Sequence, residues 1–225
     1  MKKAVFTYVY SDIPFIDVWL RHYTRYFDDI YIFNIGFNNI LDKYKNKYKF
    51  TEIKVEKDFE YKAPYVLDII EAKYKEYLKD FQWVMYSDID EIILPNPALY
   101  TSFEHYIQEM KQPYLYCHGF EVLHEQEPEI IWDRPLLMQR EYWLRQPVYD
   151  KPLLTSVPLK HVEGLHEIEG SGDPKRGILQ RGDQSLFLIH IHRIDNLTKA
   201  KFSKREHFKG TDSKEKIPMI YKTLI

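Results

Sequence analysis

The chain has 225 residues, 44% of them hydrophobic and 29% charged, which is the balance of a globular domain with one sizeable core. Lys and Arg number 32 against 34 Asp and Glu, for a net charge of -2, so the basic field that nucleic-acid binding requires is lacking and this class of partner is excluded. A single cysteine excludes an intrachain disulfide and any Cys-x-x-Cys zinc or redox site.

The sequence carries no strong membrane signal. No apolar run reaches about 18 residues, and the stretch after the N-terminal lysines is interrupted by Ser11-Asp12 before it acquires signal-peptide character. One cysteine fits a reducing compartment. We therefore expect a cytoplasmic protein without a transmembrane segment, and the apolar segment 217–225 leaves open a peripheral contact with the inner membrane face.

The first half alternates strand and helix patterns. β-rich runs occur at 3–10, 30–35 and 50–55, and residues 64–78 have the apolar period of a helix. A polar residue and proline at 12–14 start an earlier helix. Its apolar face comprises Phe15, Trp19, Tyr23, Tyr26 and Phe27.

The later elements are less regular. A capping box at 101–104 starts a further helix, and 114–120 is predicted to be a strand. Residues 121–182 are predicted to form hairpins and long loops around an acceptor site, with a strand at 159–162. A final strand at 186–192 precedes a helix capped by Asp195, and the apolar end 217–225 docks on the body or on a membrane.

An acidic motif follows a run that is apolar on both faces. Residues 83–86 have the character of a central strand, and Asp88-Ile89-Asp90-Glu91 follows it. Ligand sites of open α/β sheets lie at such strand ends. Two Asp one residue apart can bind one hard cation, manganese or magnesium, while phosphate oxygens complete its shell. The spacing alone is a weak signal and also suits a solvated turn, but its position favours a metal site.

Two histidines end the last predicted strand. His190 and His192 are two residues apart, so their side chains share one face. Each can be a metal ligand or a donor to a diphosphate, and the alternative is a structural role. Arg193 reaches a phosphate if the strand ends there.

A short segment supplies candidates for the general base. His166 and Glu167 lie after the predicted strand 159–162, and either can take a proton from an acceptor hydroxyl. The alternative is a surface turn. Asp173 and Asp183 are weaker candidates for the same task.

Several segments, in this order, resemble the GT-A glycosyltransferases, in particular a small family-2-like bacterial branch. The segment 83–91 is the most specific, and the resemblance covers about residues 3–200. The other matching segments are 9–12 with 19–23, 30–36, 149–154, 164–167 and 188–195.

The resemblance implies a GT-A fold: a central mixed sheet flanked by helices, with an irregular C-terminal acceptor region. It implies one domain over 1–225, with a nucleotide-binding half at about 1–120 and an acceptor-binding half at about 121–225. Asp88 and Asp90 would hold Mn²⁺ or Mg²⁺, with His190 or His192 completing the ligands. Nucleotide contacts are expected from Tyr8, Tyr10, Asp12, Asn34, Asp88, Ile89 and Arg193.

The expected activity is hexosyl transfer from a nucleotide-diphosphate sugar, with a UDP-sugar as the guess, to a glycan or glycolipid acceptor. Inversion at the anomeric carbon and a role in surface polysaccharide biosynthesis are implied by the resemblance. Two alternatives stay open. A metal-dependent phosphohydrolase would need two metals held by further Asp and His, and a non-catalytic carbohydrate-binding domain would need neither nucleotide nor metal.

Overall fold

The structure is a computed structural model, and it describes residues 1–9, 14–36, 39–55, 63–162, 165–169, 183–196, 198 and 214–222, with backbone alone at 63–66 and 183. It is a mixed α/β structure with two mixed sheets. The strands are β1 Lys3–Val9, β2 Asp29–Ile35, β3 Thr51–Val55, β4 Trp83–Tyr86, β5 Glu91–Pro95, β6 Cys117–Leu123, β7 Tyr142–Arg145, β8 Leu154–Thr155, β9 Asp183–His190 and β10 Lys214–Lys216. The helices are α1 Phe15–Tyr23, α2 Asp42–Lys45, α3 Ala63–Tyr77, α4 Phe103–Glu109 and α5 Met219–Lys222.

The first sheet has the strand order β3-β2-β1-β4-β8. Strands β1 to β4 are parallel, and β8 pairs antiparallel with β4. Every residue of β1 and β4 is buried, as the continuous apolar runs of parallel strands require. The predicted strands of the first half are therefore confirmed, and their carboxyl ends lie along one edge of the sheet.

The second sheet has the order β10-β7-β6-β9-β5. Strand β9 pairs antiparallel with β5 and parallel with β6, and β7 joins β6 to β10 through antiparallel pairs. Cys117, the single cysteine of the chain, is fully buried at the start of β6. Because β4 and β5 follow one another in the chain, the turn between them connects the two sheets.

Helix α1 ends earlier than its apolar pattern suggested. It stops at Tyr23, and Tyr26 and Phe27 lie in the turn that follows. Both rings nevertheless pack on Phe103 of α4, with ring centroids 5.1 and 5.4 Å apart. The tertiary contact with α4, rather than helical continuation, places these two rings against the core.

The cap of α4 is displaced by one residue from the predicted capping box. Ser102 is the N-cap, and its hydroxyl accepts a hydrogen bond from the backbone N–H of His105 at 3.0 Å. Glu104 instead accepts from the buried ammonium of Lys3 at 2.6 Å. Glu104, which the predicted capping box assigned to the helix cap, therefore forms an ion pair with Lys3 of β1 instead.

Two later strand predictions have different outcomes. The strand predicted at 114–120 is present, but it runs from Cys117 to Leu123, because Glu121 is buried within it and does not end it. Residues 159–162 form no strand: His161 makes an isolated bridge with Ile168, and its N–H donates to Glu71 Oε1 at 2.6 Å.

The C-terminal elements also differ in part from expectation. Strand β9 ends at His190, two residues early, and it is not the final strand because β10 follows. The Asp195 carboxylate accepts from the Thr198 N–H at 2.7 Å, the bond expected of a helix cap. Tyr221 is buried and donates to Asn96 at 2.9 Å, so the described part of the apolar C-terminal segment, residues 217–222, packs on the rest of the chain. No helix within the described ranges has the length and apolar character needed to cross a bilayer.

Candidate metal centre and the acidic turn

The turn from β4 to β5 carries the acidic motif and is held by α1. The Ser87 hydroxyl donates to the carbonyl of Glu91 at 2.8 Å and lies 2.9 Å from the hydroxyl of Tyr23. The same Tyr23 hydroxyl accepts from the N–H of Ile93 at 2.8 Å. The Asp90 carbonyl accepts from the N–H of Ile191 at 2.9 Å. These buried bonds fix the acidic side chains next to the end of β9.

Three potential metal ligands converge at this point. One ligand atom from each of Asp90, His190 and His192 lies within 4.8 Å of the other two, the one such group of three found among the described residues. The Oδ2 of Asp90 lies 3.4 Å from Nε2 of His190. The Nδ1 atoms of the two imidazoles are 2.6 Å apart. Among the predicted ligands, Asp90 and both candidate histidines come together here, whereas Asp88 is not part of the group.

The arrangement fits a bound cation. Two ring nitrogens that face each other at 2.6 Å cannot both carry a hydrogen there, so at least one presents a lone pair. Nδ1 of His192 also lies 3.1 Å from Nε2 of His190. Metal–ligand bonds of about 2.1 Å place neighbouring ligands about 3 Å apart, so this second pair of nitrogens suits one ion. One carboxylate with two imidazoles is a donor set for a first-row transition ion such as Mn²⁺.

Two carboxylates next to His190 favour a positive charge at this position. Burial alone would lower the pKa of His190, but the carboxylates of Glu121 and Asp90 raise it to about 10. Burial opposes ionisation of Asp90 as well, yet the His190 charge and hydrogen bond hold its pKa well below the usual range. The pocket therefore stabilises positive charge, and a metal ion would compete with a proton for His190.

A buried carboxylate that the sequence did not identify lies behind the histidines. Oε2 of Glu121, on β6, lies 3.1 Å from Nδ1 of His190 and 3.6 Å from Nδ1 of His192. It also accepts from the hydroxyl of Tyr149 at 2.9 Å. The parallel register that pairs Glu121 with His190 creates this contact, and no local pattern in the sequence indicates that register.

Asp88 lies outside the converging group. Its carboxylate accepts from the hydroxyl of Tyr86 and lies 3.5 Å from the ammonium of Lys151. Lys151 is buried and also donates to Glu91 at 2.6 Å. Although burial disfavours its charge, Glu91 and Asp88 raise the pKa of Lys151. Burial raises the pKa of Glu91 against the opposing effect of Lys151.

Of the two candidate general bases, His166 lies within the electrostatic influence of Asp88 and Lys151. His166 is partly buried; burial and then the charge of Lys151 lower its pKa to about 4, while a hydrogen bond with the backbone of Val148 opposes the change. Glu167 is partly exposed, and its carbonyl accepts from the N–H of Val162 at 2.9 Å. His166 thus faces the electric field of Asp88 and Lys151 and is neutral at neutral pH.

The expected nucleotide contacts are only partly described. Tyr8 is buried and its ring stacks on Phe33 at 4.8 Å. Asn34 is fully buried and donates to Glu52 at 2.7 Å. Arg193 follows β9, and its Nε donates to Nε2 of His192 at 3.2 Å. Ile89 is partly buried; Tyr10, Asp12 and the weaker base candidate Asp173 lie outside the described residues, as does the side chain of Asp183.

No protein-family model matches the chain, and no curated protein matches it significantly. The functional argument therefore depends on the residues of the site.

Proposed function

We propose that this chain is a metal-dependent glycosyltransferase of the GT-A type that moves a sugar from a nucleotide-diphosphate donor to an acceptor hydroxyl. The observation that carries the proposal is the convergence of Asp90, His190 and His192 where β4 ends. Ligand sites of open α/β sheets lie at this edge. The parallel order β3-β2-β1-β4 supplies an edge where a nucleotide can bind next to the ion.

The protein's part in the reaction follows from this arrangement. Asp90, His190 and His192 hold the cation, which supplies charge neutralisation for the departing diphosphate. Asp88 lies in the same turn and is partly exposed. Arg193 contacts His192, and its guanidinium can bind phosphate oxygens. His166 is neutral at pH 7 and can accept the acceptor's proton, although a pKa of about 4 limits its strength as a base. Glu167 is the second candidate.

The donor, the ion, the stereochemical outcome and the acceptor are part of the same proposal. We assign a UDP-sugar donor, Mn²⁺ rather than Mg²⁺ because two of the potential ligands are imidazoles, an inverting outcome, and a glycan or glycolipid acceptor of surface polysaccharide synthesis in the cytoplasm. Support for these assignments comes from the ordered resemblance of segments from 9–12 to 188–195. Two metals held by further Asp and His would favour the phosphohydrolase alternative, whereas the described residues form one converging group of three potential ligands.

The first prediction concerns Asp90. Asp90→Asn keeps the size of the side chain but weakens its hold on a cation, so Mn²⁺ affinity and donor turnover should each fall on the order of 100-fold. Titration calorimetry measures the affinity, and release of UDP from UDP-sugars measures turnover. Asp80→Asn, at an exposed carboxylate after α3, is the matched control and should leave both unchanged.

The outcome that contradicts the proposal is equally concrete. Turnover of the donor that persists in the presence of a chelator would remove the metal from the mechanism. Binding of free sugar without any dependence on UDP or Mn²⁺ would favour the carbohydrate-binding alternative. A panel of nucleotide sugars, scored by thermal stabilisation with and without Mn²⁺, identifies the donor.

A further inference from the structure

Glu121 is placed to act on the metal centre from behind. Its side chain is 1% exposed, so it cannot contact a substrate in solution. Its Oε2 approaches Nδ1 of His190 at 3.1 Å. The other nitrogen of that ring, Nε2, lies 3.4 Å from Oδ2 of Asp90. The two carboxylates thus lie at the two different nitrogens of one imidazole.

This placement makes the roles of the two carboxylates different. Glu121 is not part of the converging group formed by Asp90, His190 and His192. A carboxylate that accepts the N–H of a metal-bound histidine fixes which nitrogen keeps its hydrogen and how the ring is turned, and it strengthens the ring as a ligand. Oε2 of Glu121 is placed as such an outer partner of His190. Nδ1 of His192 lies 2.6 Å from the same His190 nitrogen, so His192 must then present its lone pair there.

Glu121 is itself held in place by its surroundings. The hydroxyl of Tyr149 donates to the same Oε2 at 2.9 Å, and the ring of Tyr149 lies against the His190 ring with centroids 4.2 Å apart. Tyr149 approaches β6 closely at Gly119, where an added Cβ would lie 2.5 Å from the Tyr149 Cβ. The carboxylate therefore has a defined position before any ion binds.

We propose that Glu121 is a positioning residue of the metal centre: it accepts the Nδ1 hydrogen of His190 and so directs the Nε2 lone pair of that ring toward the cation beside Asp90. The inference rests on the proposed metal centre and adds to it a residue that binds neither ion nor substrate. Tyr149 fixes the acceptor oxygen.

The test compares two substitutions that remove the same charge. Glu121→Gln keeps an acceptor oxygen in place, and Glu121→Leu removes the acceptor. Mn²⁺ affinity, measured by calorimetry on the whole chain, should fall about tenfold in E121Q and about 100-fold in E121L, the range seen for lost outer partners of metal ligands. Tyr149→Phe leaves the carboxylate but removes its hydroxyl partner, and a loss of about threefold is expected; this variant serves if E121L does not fold.

A spectroscopic readout separates positioning from a general loss of structure. In ¹⁵N spectra of the zinc-loaded wild type, His190 should carry its hydrogen on Nδ1 and bind zinc through Nε2. In folded E121L, the chemical shift of the His190 Nδ1–H group should no longer show a hydrogen bond to a carboxylate.

Each adverse result has a distinct meaning. If the wild type binds no Mn²⁺ while it is folded, the proposed function fails and this inference with it. If the wild type binds Mn²⁺ but E121Q and E121L stay within twofold of it, only the inference fails. Equal losses in E121Q and E121L would also overturn it, because charge rather than the hydrogen bond would then account for the effect.

Discussion

His22 is a buried imidazole on α1 whose surroundings favour its neutral form. Its Nε2 donates to the carbonyl of Ile93 at 3.0 Å, and it is 2% exposed. Burial is the main reason that its pKa falls from 6.5 to about 4; the bond with Ile93 opposes this change, and the charges of Arg25 and Arg21 add to it. The folded state therefore favours a neutral His22 ring at pH values where the ring is protonated in the unfolded chain.

This predicts a pH dependence that belongs to one side chain. The folded protein binds fewer protons at His22 than the unfolded chain between pH 6.5 and about 4. The stabilisation is therefore complete above pH 6.5 and is lost as the pH falls through that window. The loss is on the order of 3 kcal/mol.

The measurement is urea unfolding at about pH 7.5 and about pH 4.5, in the wild type and in His22→Gln. Because glutamine keeps a donor for Ile93 but does not titrate, the drop in unfolding free energy between the two pH values should be smaller in the variant. An identical drop in both proteins would show that His22 does not titrate in this way.

At the scale of the element, β6 approaches the segment 146–149 without room for a side chain. A Cβ on Gly119 would lie 2.7 Å from the carbonyl carbon of Tyr149 and 2.9 Å from the carbonyl oxygen of Gln146. Both contacts involve backbone, so relief requires the chain itself to move. The strand that carries Glu121 thus depends on a glycine two residues before it.

Gly119→Ala should reduce stability by about 1–3 kcal/mol through overpacking, and it should also weaken Mn²⁺ binding because Tyr149 must move away from Glu121. Gly36→Ala is the matched control: its φ is +91° and nothing lies within 4 Å of an added Cβ. This control is strained by roughly 1–2 kcal/mol but should keep its Mn²⁺ affinity. Equal affinities in the two variants would contradict the link between β6 packing and the ion.

The elements that the sequence predicted well are those with local signals. Strands β1, β2 and β4 are apolar runs bounded by polar turns, β3 is a weaker run, and α3 has a helical period. Prediction failed at Glu121, where a charged residue in a buried strand looked like a strand end. It also failed at His192, which lies beyond β9 but still faces His190. Both depend on contacts with distant segments, which periodicity does not record.

At the scale of the whole molecule, the candidate metal centre lies where the two sheets meet. Asp90 belongs to the turn that leaves β4 of the first sheet, whereas His190 ends β9 of the second. The antiparallel register that pairs Glu91 with His190 brings them together. From residue chemistry and strand ends, the sequence pointed to Asp90 and to the pair His190 and His192 as candidate ligands. No local pattern indicated that Lys151 contacts Glu91, which is 60 residues away in the chain.

An ion at this junction should stabilise the fold. With Mn²⁺ at about 100 times its dissociation constant, the free energy of unfolding should rise by about 2.7 kcal/mol. For a chain of this size, the melting temperature should then rise by roughly 5–10 °C. Calorimetric melting with Mn²⁺ and with chelator measures the difference. Asp90→Asn, with its roughly 100-fold weaker binding, should gain only about 0.4 kcal/mol at the same Mn²⁺ concentration, a shift of at most about 2 °C. A wild type that melts at the same temperature in both solutions would contradict a site at the junction.

The position of Cys117 bears on where such a chain can work. Burial raises the pKa of its thiol, so the chain's single sulfur nucleophile is both enclosed and protonated while β6 is paired. Thiolates, not thiols, attack disulfides, and two folded copies therefore cannot become cross-linked through this residue. Disulfide cross-linking therefore does not restrict the folded chain to reducing surroundings, and the low cysteine content does not by itself assign it to a compartment.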